Sequence, residues 1–389
     1  RNYANWDTFK IYQRIIIGNL MNLLFITMDG ARKDRIVKAK NYSKLIEKGL
    51  FFSTAITYAP FTIAAMHAVF SGTYGTRTGV NSYWSNINFK KDLYKTLPGY
   101  MKDKGYVTYA DVINKLVLPP AGFDEFIIHD ELTENLTERH LKLIDKFNSL
   151  RKNGKNFFLY LHYSNIHTGI MEKVLKKYNN FSKEYFENKD KNEKFYDELF
   201  SAADDYLGKI IDYCNEINLF EDTLLVVISD HGIGAGEKFG ERAYGVFCYD
   251  YTLVSTALFC NKKLPNLKID QQVRSIDILP TILEILDISP DSNFMPIQGQ
   301  SLIPLSHGMN EPRIAFSQSG NPLDSNKPPK EPNVYSVRTD EWKYIKNVHD
   351  DSEELYFLID DPGENVNLID TEKEKADQMR SEMNRILDS

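Results

Sequence analysis

Three runs, Asn22–Met28, Asn156–His162 and Thr223–Ser229, are dominated by Leu, Ile, Val, Phe and Tyr at successive positions instead of every second one. A short run without alternation fits a strand covered on both faces, as in a parallel sheet with helices on each side. A periodic stretch from about Glu193 to Asn218 precedes the third run, with Phe195, Leu199, Phe200, Leu207, Ile210 and Ile211 spaced for one helix face. Strand, helix and strand in this order predict βαβ units, hence an α/β fold with a mostly parallel central sheet flanked by helices. Ligands of open parallel sheets lie at the carboxyl ends of the strands. Asp29, His167 and Asp230 fall there.

With 389 residues, 42% of them hydrophobic and 13% aromatic, the chain has ample material for a core. Its net charge is -7, with Lys and Glu interspersed and no basic stripe, which argues against a nucleic-acid groove. Cys214, Cys248 and Cys260 show no C-x-x-C spacing and read as buried thiols. The apolar stretch Ile15–Met28 is interrupted by Gly18, Asn19 and Asn22, so no transmembrane segment is expected. No leader is evident, which points to the cytoplasm, while a segment preceding Arg1 is left open. Residues 1–20, with Trp6, Phe9, Tyr12, Ile15 and Ile16, are expected to form a helical N-terminal extension.

After the helical stretch Ile276–Leu286 the composition changes. Prolines cluster from 290 to 332, and the shorter runs Asn333–Val337 and Trp342–Ile345 follow. This predicts a smaller C-terminal antiparallel sheet over 306–389, closed by a charged helix near Thr371–Leu387, beside a main α/β domain over 21–305.

Two clusters carry candidate chemistry. Asp29-Gly30-Ala31-Arg32 follows the first strand, offering a carboxylate beside a residue that lets the backbone approach a ligand. Ser229-Asp230-His231-Gly232 ends the third, and an aspartate next to a histidine supplies oxygen and nitrogen to one divalent cation. Thr62 stands ten residues before Gly72. Its hydroxyl becomes a nucleophile once a cation or a base activates it. Together Asp29, Thr62, Asp230 and His231 form a candidate four-ligand site. Its donors suit Mn2+ or Zn2+, with Ca2+ or Mg2+ as alternatives.

On these residues the chain resembles the alkaline phosphatase superfamily, specifically its sulfatase-like branch. The likeness runs from about Asn22 to Leu368 and includes Asp29 with Arg32 and Asp34, Ser71-Gly72-Thr73-Tyr74, Gly122-Phe123-Asp124-Glu125-Phe126, Asp230-His231-Gly232 and Gly299-Gln300-Ser301-Leu302. It implies that family's fold, with the small C-terminal sheet and helix. It also implies an enzyme acting on a small-molecule, glycan or lipid-linked ester. Oligomeric state is left open.

The chain departs from the branch where a sulfatase carries its C/S-x-P-x-R motif, whose first residue is oxidised to formylglycine. The five positions here are Thr62, Ile63, Ala64, Ala65 and Met66. Threonine does not yield formylglycine. The Asp-Asp pair is Asp29-Gly30, and the Gly-Lys-Trp-His element is replaced by Val112-Ile113-Asn114-Lys115. Phosphodiesterase-like and phosphonate monoester hydrolase-like members resemble the chain in these features. The resemblance therefore implies a phosphoester hydrolase or transferase with one metal, a Thr62 nucleophile, a covalent phosphothreonine and His167 as general acid. Lys115 and His67 are candidate substrate contacts, and Lys238 and Arg242 weaker ones. A sulfuric ester hydrolase and a degenerate binding module are the alternative expectations.

Overall fold

The computed structural model describes residues 21–323 and 327–388, so the helix expected over 1–20 lies outside the described residues. Nine strands build the main sheet: β1 (Asn22–Met28), β2 (Leu50–Ile56), β3 (Val107–Val112), β4 (Glu125–Ile128), β5 (Phe157–Tyr163), β6 (Thr223–Ile228), β7 (Val254–Cys260), β8 (Leu267–Ile269) and β9 (Val273–Arg274). Their order is β4-β3-β5-β1-β6-β7-β2-β8, with β9 also pairing β2. The helices that matter for the site and the core are α1 (Thr62–Ser71), α2 (Leu136–Lys152), α3 (Asn165–Ile170), α4 (Lys189–Glu216), α5 (Ile278–Ile285) and α6 (Lys373–Asp388).

The three apolar runs are the parallel centre of this sheet, β5-β1-β6. β1 is buried at every position because both faces are covered. Leu24, Ile26 and Met28 pack in the cluster that holds Leu207, Ile210 and Ile211 of α4, while Leu23 and Phe25 pack with Met66, Val69 and Phe70 of α1 and Leu279 of α5. Only β7 runs against its neighbours β6 and β2. The segment between β6 and β7 holds a four-residue helix, Asp250–Leu253, and no long crossover helix. Without a crossover helix of that kind the chain re-enters the sheet antiparallel. Among the described residues no helix is long and apolar enough to cross a membrane.

The expected small sheet is present as β10 (Ala315–Ser319), β11 (Val334–Arg338), β12 (Trp342–Asn347) and β13 (Ser352–Phe357), antiparallel throughout. Val337, Tyr344 and Leu355 of this sheet, Met379 and Met383 of α6, and Tyr58, Ala64 and Ala68 of the main body share one apolar cluster. An ion network seals the same junction. Lys343 on β12, wholly buried, places Nζ 2.8 Å from Asp250 Oδ1 and 2.8 Å from Glu364 Oε1, and Arg338 on β11 reaches Asp250 Oδ2 at 2.9 Å.

Removing one partner of a buried ion pair strands the other charge, at a cost of about 3–5 kcal/mol. Lys343→Ala is therefore expected to lower unfolding stability by that order in a urea titration. A loss below ~1 kcal/mol would show that the apolar cluster alone holds the small sheet.

Candidate active site

Asp29 and Asp230 stand just beyond the ends of the paired strands β1 and β6, where backbone and side chain are both buried. Between them the chain needs a left-handed turn. Gly30 has φ 75°, and a Cβ there would lie 2.4 Å from Ile233 Cδ1. Its N–H donates to Asp230 Oδ1 at 3.1 Å, as does that of His231 at 2.9 Å. One Asp230 oxygen is thus fixed by backbone. The other, Oδ2, and Asp29 Oδ1 are buried with no hydrogen-bond partner.

Thr62 is the first residue of α1, after an extended Phe61, and α1 ends at Gly72 in the left-handed region. This seats the Thr62 hydroxyl 3.4 Å from Asp29 Oδ2 and 3.4 Å from His231 Nε2. His231 Nδ1–H donates to the Gly232 carbonyl at 2.8 Å, leaving the Nε2 lone pair aimed at the carboxylates, 3.8 Å from Asp29 Oδ1 and 3.5 Å from Asp230 Oδ2. A backbone acceptor on one ring nitrogen is the usual support for a metal-binding histidine.

Burial acts to raise the Asp29 carboxyl, but His167, His162 and His231 outweigh it and hold the group well below the ordinary range. Asp230 moves the other way, raised by burial and by the charge on Asp29. Two like charges in one dry site repel in this manner, and a divalent cation between them removes the conflict. The unpartnered oxygens, the buried Asp29–Asp230–His231 cluster and the adjacent Thr62 hydroxyl all fit such an ion.

The structure thus brings Asp29, Thr62, Asp230 and His231 together, and adds His167. His167 lies in α3 with Nδ1 3.9 Å from Asp29 Oδ2 and 3.2 Å from the Tyr244 hydroxyl, and its side chain keeps 20% exposure where the other histidines of the group keep none. Two candidates make no hydrogen bond or ion pair with this group among the described residues. Lys115 is exposed on the turn after β3, and no hydrogen bond or ion pair among the described residues joins it to this group. His67 is a packing residue: its Nδ1–H donates to the Ile63 carbonyl at 2.8 Å one helical turn back, its ring meets Phe89, and burial pushes its pKa down to about 4. Lys238 donates to the Glu364 backbone carbonyl.

His162 is a member of the group that its sequence position does not reveal. It sits near the end of β5, wholly buried, with Nε2 3.0 Å from Asp29 Oδ2 and Nδ1 2.9 Å from the Tyr160 hydroxyl. Tyr83 and Tyr244 feel the charges of Asp29 and Asp230, and burial keeps both phenols protonated. Arg242 interacts with both tyrosines; one guanidinium nitrogen binds Asn180 at 2.7 Å, while buried Nε has no partner. A separate cavity of about 340 Å3 is lined by Arg32, Asp250 and Glu364, among others. Arg32 is paired there with Asp34 and Glu237.

The sheet order, the polar group at its carboxyl end and the small C-terminal sheet define the architecture of the alkaline phosphatase superfamily. Within it, the chain belongs to the sulfatase family: the model for Sulfatase matches residues 21–288, and that for N-sulphoglucosamine sulphohydrolase, C-terminal, matches 247–389. Arylsulfatase K of Xenopus laevis is 28% identical over 206 residues, 50% of this chain and 37% of that protein. The chain spans about a third of the length of the curated relatives it matches. A solved structure in complex with its substrate D-glucosamine-2-N,6-O-disulfate has a TM-score of 0.69 at 17% identity, covering 95% of this chain and 97% of the other. Phosphonate monoester hydrolase of Agrobacterium radiobacter gives 0.71 at 14%, covering 94% and 95%. At these identities the likeness is one of fold.

These findings overturn the expectation of a phosphoester hydrolase or transferase working through phosphothreonine. The sequence relatives include arylsulfatases and a choline-sulfatase, while the likeness to the phosphonate enzyme is confined to fold. The physical reason is that a hydroxyl beside two carboxylates and a histidine serves a sulfur centre as well as a phosphorus one. Thr62 alone does not choose between them.

Asp230→Asn tests the electrostatics of the site. An amide keeps an oxygen for the Gly30 and His231 N–H groups and removes one of two repelling charges, so the metal-free variant is expected to gain roughly 1–3 kcal/mol. Its affinity for Mn2+ or Zn2+ falls at the same time, by about 10-fold or more. Calorimetry with and without metal reads both; an unchanged or lowered metal-free melting temperature would refute the repulsion.

Proposed function

We propose that the protein hydrolyses sulfuric esters of small molecules or glycans at the Asp29 site. The observation that carries this reading is the Thr62 hydroxyl, 3.4 Å from both Asp29 and His231, in a chain of the sulfatase family. Asp29, Asp230, His231 and Thr62 would hold one divalent cation, Mn2+ or Zn2+ by their mixed oxygen and nitrogen donors. Bound there, the cation supplies neutralisation of charge on the sulfuryl oxygens and acidifies the attacking hydroxyl. We take Thr62 as unmodified. Its Cβ bears a methyl group, so oxidation there gives a ketone and not the aldehyde of formylglycine.

Thr62 Oγ1 is the attacking atom: its proton passes to solvent, and its bond to sulfur forms as the bond from sulfur to the ester oxygen breaks. His167, the most exposed histidine of the group, gives its proton to the departing alcohol. Water then attacks sulfur and gives one proton to His167, the bond from sulfur to Thr62 Oγ1 breaks, and hydrogensulfate leaves with the Thr62 oxyanion and the protonated His167 restored. Because Thr62 opens α1, the positive end of that helix faces the charge that develops. Arg242, with its buried unpartnered Nε, adds a cation that interacts with Tyr83 and Tyr244, the two phenols that feel Asp29 and Asp230.

Metal-loaded protein is expected to release sulfate from p-nitrophenyl sulfate faster than it cleaves bis(p-nitrophenyl) phosphate, and Thr62→Ala to lose at least about a thousandfold in rate. Failure of the loaded wild type to release sulfate, or a Thr62→Ala rate equal to wild type, would overturn the proposal.

The role of His167 has its own readout. On an alkyl sulfate, whose leaving group needs a proton, His167→Ala is expected to lose about 10²-fold. On p-nitrophenyl sulfate, whose leaving group does not, it changes little. Equal losses on both substrates would remove His167 as the acid.

A further inference from the structure

We propose a second metal centre, formed by Asp111, His129 and His140 and suited to a zinc-like ion. Asp111 lies at the end of β3, His129 follows β4, and His140 is in the second turn of α2. All three side chains are wholly buried. Their donor atoms lie within 4.8 Å of one another. Two imidazoles and one carboxylate are a donor set for Zn2+ and its first-row neighbours.

The hydrogen bonding around Asp111 favours an ion over a closed network. One oxygen, Oδ2, faces three nitrogens at once: Arg139 Nε at 2.9 Å, His129 Nδ1 at 3.1 Å and His140 Nε2 at 3.2 Å. A carboxylate oxygen has about two acceptor positions, so three N–H groups crowd it. A cation among them turns the two imidazole nitrogens from competing donors into ligands.

The outer contacts suit the same state. The Tyr206 hydroxyl lies 2.7 Å from His140 Nδ1, fixing the ring with Nε2 inward. Arg139 Nη2 holds the other Asp111 oxygen at 2.8 Å, and Glu134, 3.5 Å from Arg139 Nη1, balances that guanidinium on its outer side. His129 Nε2 is buried without a partner, so this ring, unlike that of His140, has no outer hydrogen bond to fix it. The ion would tie β4, a four-residue edge strand with an exposed face, to β3 and α2. Its role is structural, and it does not depend on the sulfuric-ester reading.

The test uses the full chain with Asp29→Ala and Asp230→Ala, which disables the first site and leaves the second intact. After saturation with Zn2+ and desalting, elemental analysis is expected to find about one equivalent per chain in this variant. Loaded with Co2+ instead, the same variant is expected to show the visible absorption of a low-coordinate ion. Adding His129→Ala and His140→Ala removes both signals. No retained Zn2+ and no Co2+ band in the double variant would mean that the cluster is a hydrogen-bonded triad, and would overturn the proposal. So would an equivalent that survives loss of both histidines. Because the Co2+ spectrum is read with both histidines in place, the proposal stays testable if the histidine variants do not fold.

Discussion

Asp29 and Asp230 are forced together by the sheet itself. β1 and β6 are parallel neighbours with Thr27 opposite Ile228, so the residues two positions further along each strand leave the sheet at the same level. Both carboxylates are buried, and each keeps an oxygen without a hydrogen-bond partner. The histidines respond to this pair. His162 comes from β5 on the other side of β1, where Thr27 is also its register partner, and His231 is the next residue after Asp230. Strand pairing alone thus delivers two acids and two imidazoles to one point, before any loop has folded.

Thr62 reaches that point by a different route. It is carried on α1, whose inner face packs Met66, Val69 and Phe70 against the sheet. The left-handed Gly72 that ends the helix is tightly enclosed, since a Cβ there would lie 2.6 Å from Ile297. A helix locked at both its packing face and its end holds its first residue in place. The hydroxyl position is therefore set by core packing remote from the carboxylates.

This division explains what could be read from the chain. The apolar runs announce β1, β5 and β6, and strand-end carboxylates announce a ligand site, because both signals are local. Asp29, Asp230 and His231 were legible as candidates for that reason, and Thr62 by its spacing before Gly72. His162 was not: in sequence it is an unremarkable member of an apolar strand, and its role exists only through the register with β1. Tyr83 and Tyr244 likewise act across long sequence separations. His67 and Lys115 show the converse. One is five residues from Thr62 on the same helix, yet five residues is more than one full turn, so its ring points into the core. The other sits near a motif position in sequence but on an exposed turn.

The chemical class could not be read from Thr62 for a related reason. The frame of two carboxylates, a histidine and a hydroxyl supports attack on phosphorus or sulfur alike, and what separates them lies in the surrounding walls and in ancestry. Gly30 bears on the ion instead. Its left-handed backbone and the crowding of Ile233 leave no room for a side chain, so the third carboxylate of an Asp-Asp pair has no place to stand. As the proposed ligands, Asp29, Asp230 and His231 would bring two negative charges and a nitrogen donor, which a single divalent ion would offset. Hard ions such as Ca2+ gain from additional oxygen ligands, whereas a nitrogen donor favours Mn2+ or Zn2+. The same glycine spends its N–H on Asp230 Oδ1, directing Oδ2 toward Asp29. One backbone conformation thus both removes a ligand and aims another.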